Sequence, residues 1–310
     1  MKEIKLTSIW QASEHNAFTD LTRFNEAWWC TFREAESHNS TDGTLRLLKS
    51  SDGSRWQDMG CLRIDNADLR DPKLSVSPSN QLILIATAYY TNADPKYRQT
   101  FAWRNKQGEW SEPTPIAEQS HWLWRITWHQ DKAYGLAYGT RPKNGLHWYE
   151  ISPSLDSYKS RRVTEFDGNY VNEHGLVFDE QGTAYCLLRR DITPPESSTG
   201  LLGTSKPPYD QWQWQDLGFR IGGPELVWAP DKKTLLAGYR RHEDPSQWLP
   251  QWTEIAELSL AGKVLQSIHL ESGGDCSYPG LALDQQTLKA VYYSSHDGHC
   301  KIYCSDIEMG

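Results

Sequence analysis

A pattern of about fifty residues recurs six times along the chain, and it constrains the fold more than any other feature. Each copy has a short apolar strand, a turn carrying Asp, Asn or Gly, and a second apolar strand. The copies are AFTDLTRFNEAWWCTFR (17–33), DPKLSVSPSNQLILIAT (71–87), WRITWHQDKAYGLAYG (124–139), EHGLVFDEQGTAYCLLRR (173–190), GPELVWAPDKKTLLAGYRR (223–241) and YPGLALDQQTLKAVYYSS (278–295). Such spacing suits a four-stranded antiparallel blade, and six blades account for the chain. Third strands are expected at TLRLLKS (44–50), QTFAWRN (99–105), LHWYEIS (146–152), WTEIAELSL (252–260) and CKIYCSDI (300–307). Helical periodicity is hard to find, so the reading is all-β, a single six-bladed β-propeller domain over 1–310. The sixth unit reaches Gly310 without a fourth strand, and EIKLTSIW (3–10) is expected to supply it and close the ring. Five blades would need units of about 60 residues, which the repeats do not show.

Composition narrows the function. A net charge of -8 argues against a nucleic-acid binder driven by phosphate contacts. No run of 18 apolar residues exists to span a membrane. The opening MKEIKLTSIWQ has no apolar signal region, so a cytoplasmic location is expected. With 15 Trp and 15 Tyr in a polar chain, a site that stacks flat ligands is expected. Six cysteines without a CxxC pair read as reduced thiols. No zinc spacing, HExxH, EF-hand loop, GxGxxG or P-loop occurs, so neither a metal nor a nucleotide cofactor is expected.

In a propeller the innermost strands line the axis, so the residues that open each repeat carry most weight. These are His15-Asn16, Arg70-Asp71, Trp124-Arg125, Asn172-Glu173, Gly222-Gly223 and Ser277-Tyr278. Each has a structural reading beside the functional one. Tyr278 can pack the channel wall, Glu173 can pair with Arg189, and Arg125 can stack on Trp122 or Trp124. The glycine pair allows a close approach or only a bend. Trp122 is a sugar platform or packing, and His296 is a turn residue.

Three features in one order resemble the sialidases. SSDGSRW (50–56) is similar to an Asp box, one residue short, with a looser echo at TSKPPYDQW (204–212). Asn172-Glu173 is followed across a strand, a turn and a second strand by Arg189. CSYPGLAL (276–283) looks like the segment that carries the sialidase tyrosine. The phrases HNAFTDL, LRDPKL, LWRITWH and SYPG also look like those of bacterial sialidase-like proteins. The resemblance implies Tyr278 as nucleophile, Glu173 as its base, and Arg189 with Arg240 or Arg241 on a substrate carboxylate. Asp42, in SHNSTDG, takes the place of the acid/base, with His38 a rival in the same loop. Where sialidases open blade one with R-I-P, this chain has HNAFTDL (15–21). His15 then becomes a ligand for substrate hydroxyls, and either the missing Arg is supplied by Arg33, Arg70 or Arg125 or the substrate lacks that carboxylate. Asp71, in LRDPKL, resembles the R-D-P aspartate of five-bladed glycosidases.

A phenol suits an anomeric carbon that itself carries a carboxylate, because a neutral nucleophile is not repelled; its pKa of about 10 then requires a neighbouring base. The expectation is a retaining exo-glycoside hydrolase that releases a terminal acidic sugar from an oligosaccharide. Two other readings stay open. One is a glycosidase or polysaccharide lyase that uses His15, His38, Arg70 and Arg125 on a uronic-acid or rhamnose-containing glycan. The other is a carbohydrate-binding propeller without turnover.

Overall fold

The computed structural model describes residues 1–140, 145–164, 169–192, 198–244 and 246–309. Its elements are strands. β1 (Lys2–Trp10) comes first. Blade one holds β2 (His15–Phe24), β3 (Ala27–Ala35), β4 (Thr44–Ser50) and β5 (Gln57–Leu62). Blade two holds β6 (Asp68–Val76), β7 (Leu82–Tyr90), β8 (Tyr97–Lys106), β9 (Glu109–Trp110) and β10 (Thr114–Pro115). In blade three the inner strand is split into β11 (His121–Leu123) and β12 (Thr127–His129), followed by β13 (Lys132–Gly139), β14 (Leu146–Ile151) and β15 (Tyr158–Thr164). Blade four is β16 (Asn169–Phe178), β17 (Ala184–Ile192), β18 (Leu201–Ser205) and β19 (Gln213–Asp216). Blade five is β20 (Ile221–Trp228), β21 (Leu235–His242), β22 (Gln251–Leu258) and β23 (Val264–Leu270). Blade six is β24 (Cys276–Asp284), β25 (Thr287–Ser294) and β26 (Lys301–Glu308). β1 pairs antiparallel with β26 as its outermost strand, so the ring is closed by strands from both ends of the chain, as expected.

Apolar side chains from facing blades make the core. Between blades one and two, for example, Leu45, Leu47, Leu69, Leu84 and Trp103 bury together. The Asp-box-like segment forms the turn between β4 and β5. There Asp52 accepts the N–H groups of Ser54 and Arg55, both at 2.8 Å, and Gly53 takes φ 70°. It shapes a turn at the outer side of the blade.

The inner strands share a device not visible as a repeat in the sequence. Each pairs with its neighbour until two of its residues face one, a β-bulge. The pairs are Phe18-Thr19, Asp71-Pro72, Asn172-Glu173, Gly223-Pro224 and Tyr278-Pro279. In blade three the same interruption splits the strand at 124–126. Four of the leading residues, Phe18, Asp71, Gly223 and Tyr278, have φ between 50° and 60°. Proline fits the second place because that residue is out of the ladder and needs no N–H. The bulge swings its side chains out of the alternating pattern and towards the axis.

One step beyond the bulges the axis is filled by charge. Arg125 from blade three bonds Asp20 of blade one at 2.7 Å and contacts Glu225 of blade five. Lys73 donates to the Thr19 carbonyl at 3.0 Å. Burial, with Asp20 adding to it and Arg125 opposing it, lifts Glu225 to about 7. Burial also drives His174 down to about 3.

Candidate functional site

The bulges of blades two, four, five and six converge on one cluster. Tyr278 donates its hydroxyl to Glu173 Oε1 at 2.6 Å. Arg189 Nη1 donates to the same oxygen at 2.8 Å and lies 3.2 Å from the Tyr278 hydroxyl. Glu173 Oε2 accepts the Gly223 N–H at 2.6 Å, so both carboxylate oxygens are engaged. Gly223 is required sterically: a Cβ there would lie 2.4 Å from Tyr278 Cγ, and its φ is +56°. Its hydrogen bond and its missing side chain together seat the Glu173–Tyr278 pair. The pair of glycines thus permits the approach of a tyrosine ring.

Burial first, and then the Glu173 charge, push the Tyr278 phenol well above its ordinary range, with Arg189 and Arg240 opposing. The guanidinium of Arg240 lies 4.8 Å from the Tyr278 ring on one side and 5.3 Å from the Trp248 ring on the other. It donates to the Cys276 carbonyl at 2.9 Å and to the Tyr293 hydroxyl at 2.8 Å. Trp248 itself is 50% exposed at the rim. Arg189 also pairs with Asp191 at 2.9 Å, and Asp191 in turn meets Arg220 at 3.3 Å. Burial, with the charges of Arg220, Arg240 and Arg189, drives the nearby His242 down to about 3.

Asp71 is buried, and its Oδ1 has no hydrogen-bond partner. Burial and then the Glu173 charge raise it to about 6, against Lys73, Arg70 and Arg33. It therefore keeps its proton to a higher pH than an ordinary aspartate does, up to about pH 6. Tyr138, at the end of β13, stacks on Trp122 with ring centroids 5.7 Å apart. Burial pushes Tyr138 up, with the charges of Asp71, Glu173 and Tyr278 contributing, so it lies near the same cluster.

A second group adjoins the first. Asp275 Oδ2 meets His15 Nε2 at 2.9 Å and His38 Nδ1 at 2.7 Å, while Oδ1 accepts the Tyr293 hydroxyl at 2.9 Å. Burial opposes the charge of Asp275, yet the bonds from both imidazoles and the Arg240 charge hold it well below the usual carboxylate range. Phe18 joins the two groups, with its ring 5.1 Å from Tyr278 and 5.2 Å from His38. Among the described residues, His15, His38 and Asp275 are the set of donor atoms close enough to hold a metal ion.

The structure thus brings together Tyr278, Glu173, Arg189, Arg240 and Asp71, with His15 and His38 beside them. Four other candidate site residues, Asp42, Arg33, Arg70 and Arg125, lie elsewhere. Asp42 is exposed and accepts the Glu36 N–H at 3.1 Å. Burial acts upwards on it, but bonds from Ser40 and the Glu36 amide win and lower its pKa, the wrong direction for an acid at neutral pH. Arg33 is fully buried against Asp68 at 2.9 Å and the carbonyls of Ser37 and Ser40. Arg70 bonds Asp68 and the carbonyls of His38 and Ser40, so it holds the His38 loop. Arg125 sits in the axial ion cluster. Trp122 packs under Tyr138, and His296 lies in the turn after β25, its Nδ1 2.8 Å from the Ser294 hydroxyl. Sequence reasoning missed Asp275, Tyr138, His242 and Trp248. Asp275 lies three residues before the last repeat, and the others lie at or near the ends of second strands or in a loop where no motif marks them.

No family model and no curated protein sequence matches the chain. Solved structures do match. A Dyadobacter fermentans protein of unknown function superposes with a TM-score of 0.85 at 16% identity, covering 100% of this chain and 99% of that one. A Penicillium chrysogenum α-L-arabinanase complexed with arabinobiose gives 0.77 at 12% identity, covering 99% of each. A Trypanosoma rangeli sialidase complexed with an inhibitor gives 0.73 at 10% identity, over 96% of this chain and 55% of that one. At these identities the likeness is one of fold, a six-bladed propeller that glycoside hydrolases also use. It does not single out sialidases among them.

Proposed function

We propose that the chain is a retaining exo-glycoside hydrolase in which Tyr278 is the nucleophile, Glu173 its base and Asp71 the general acid/base. The observation that carries this reading is the 2.6 Å bond from the Tyr278 hydroxyl to a Glu173 carboxylate whose other oxygen is already held by Gly223. Glu173 has no free oxygen with which to attack, but it is poised to take the phenolic proton. Tyr278, held well above its usual pKa, needs such a base at the moment of attack.

Tyr278 Oη forms a bond to the anomeric carbon as its proton passes to Glu173 Oε1. Arg189, 3.2 Å from Tyr278 Oη, stabilises the developing phenolate. Asp71, protonated below about pH 6, gives its proton to the departing glycosidic oxygen. It then takes one from the water that cleaves the glycosyl-tyrosine bond, which returns the proton from Glu173 to Tyr278. Asp71 replaces Asp42 in this role because burial and the Glu173 charge raise its pKa, whereas the pKa of Asp42 is lowered. A phenol nucleophile and the positive corner of Arg189, Arg220 and Arg240 around His242 support an acidic terminal sugar.

A neutral sugar is the second reading. It is favoured by Arg240, whose side chain is 2% exposed and already bonded to protein oxygens. The test is a hydrolysis screen at pH 5 to 8 over sialosides, other 2-keto-3-deoxy-acid glycosides, uronic oligosaccharides and arabino-oligosaccharides, with Tyr278→Phe in parallel. Turnover lost by at least ~10²-fold in the variant is expected. Full activity in Tyr278→Phe would sink the mechanism, and release of arabinose alone would sink the acidic sugar.

A further inference from the structure

The geometry points to a divalent transition-metal site, for an ion such as Mn²⁺ or Zn²⁺, formed by His15, His38 and Asp275 beside the axial pocket. His15 begins β2, His38 lies in the loop after β3, and Asp275 immediately precedes β24. Blades one and six therefore bring the three ligands together, from positions 237 and 260 residues apart for the two His–Asp pairs. No sequence motif could mark such a set.

The donor atoms are His15 Nε2, His38 Nδ1 and a carboxylate oxygen of Asp275, all within 4.8 Å of one another. The two imidazole nitrogens stand 2.9 and 2.7 Å from Asp275 Oδ2. An ion about 2.1 Å from each ligand at right angles needs neighbouring donors about 3.0 Å apart. The two His–Asp separations are close to the edges of an octahedron. They are short for a tetrahedral site, whose edges are about 3.4 Å. Two imidazoles and one carboxylate suit first-row divalent ions and not Ca²⁺ or Mg²⁺, which take oxygen ligands.

Supporting contacts hold these ligands in place. The second carboxylate oxygen of Asp275 is bonded by Tyr293, and its backbone N–H donates to the Ser295 hydroxyl at 2.9 Å, leaving Oδ2 for the ion. Arg70 holds the His38 carbonyl at 3.2 Å. Phe18 packs against both imidazoles, its centroid 6.0 Å from His15 and 5.2 Å from His38. The His38 side chain is 36% and Asp275 23% exposed, so the remaining coordination positions are open to solvent. Arg240, 3.6 Å from Asp275 Oδ1, opposes a cation and weakens its binding. The ion would lie next to Phe18, which separates it from Tyr278, and hydroxyl groups of a bound sugar can replace its waters. The assignment rests on ligand geometry and does not depend on the glycosidase reading.

The test is direct binding. Chelator-stripped protein is titrated with ZnCl₂, MnCl₂ and CaCl₂ by calorimetry, and the Mn²⁺ form is examined by pulsed EPR for imidazole nitrogen coupling. About one equivalent of Zn²⁺ or Mn²⁺ is expected, without Ca²⁺ binding. Asp275→Asn and His38→Gln should each weaken binding by at least about tenfold while melting cooperatively. The EPR signature needs no variant, so it decides the matter even if a substitution unfolds the chain. Absence of stoichiometric binding at 1 mM metal, or binding that survives in both folded variants, would overturn the assignment. The cluster would then be a hydrogen-bonded Asp–His pair and nothing more.

Discussion

Replacing Asp71 by Asn should stabilise the protein at neutral pH while removing its activity, and both effects come from the same buried carboxyl. Asp71 is buried beside Glu173, and its pKa is raised from 3.8 to about 6. Because the folded pKa lies above the unfolded one, the folded state holds its proton where the unfolded state has released it. Stability is therefore highest at low pH and falls as pH rises from about 4 to about 6, after which the loss is complete. Between pH 4 and 8 the loss is about 2 to 3 kcal/mol. Asn has no charge to bury and keeps the amide-sized side chain. It also tolerates the φ of 51° that the bulge imposes. The stability of the variant minus that of wild type should thus grow by about 2 to 3 kcal/mol from pH 4 to pH 8, equal to roughly 4 °C in Tm for a chain of this length. Urea unfolding at five pH values, with salt held constant, measures it. The loss of a general acid should lower kcat by about 10²- to 10⁴-fold, and wild-type activity should fall as pH rises through about 6. Parallel stability curves for the two proteins across pH 4 to 8 would refute the raised pKa, and with it the acid role.

Other substitutions probe the parts that hold the site. Arg125→Met leaves Asp20 and Glu225 buried without their cation and should cost about 3 to 5 kcal/mol by denaturant unfolding. Gly223→Ala places a Cβ 2.4 Å from the Tyr278 ring at a φ of +56°, so it should lower kcat along with stability, whereas Gly60→Ala, with open space around it, should cost only backbone strain. Five of the six cysteines are buried and Cys61 is half-buried. A thiol reagent should label about one group per chain in the native state and all six after unfolding, since burial raises the pKa of Cys30, Cys186, Cys276, Cys300 and Cys304.

The repeat alone determined the architecture. Alternating apolar strands and turn residues at a period of about fifty residues gave six blades, and a sixth unit short of a strand predicted that β1 would complete it. That succeeds because strand periodicity and turn chemistry are local. The same logic drew attention to the residues that open each repeat, and Asp71, Glu173 and Tyr278 do meet at the axis. Three Pro residues, at 72, 224 and 279, mark their bulges in hindsight: proline inside an inner strand signals a place where the ladder is broken.

Apart from the Glu173–Arg189 pair, charge partnership was not legible. Arg33, Arg125 and Arg189 look alike in sequence, as arginines at strand starts or ends. Only the assembled ring decides that the first is closed against Asp68, the second fills the axis, and the third faces Tyr278. Asp42 and Asp71 are equally plausible acids on paper. Their pKa values part because one ends in an exposed, hydrogen-bonded turn and the other is buried near Glu173, a difference of desolvation and distance that no spacing encodes. Asp275 reaches His15 and His38 only because the ring closes blade six onto blade one.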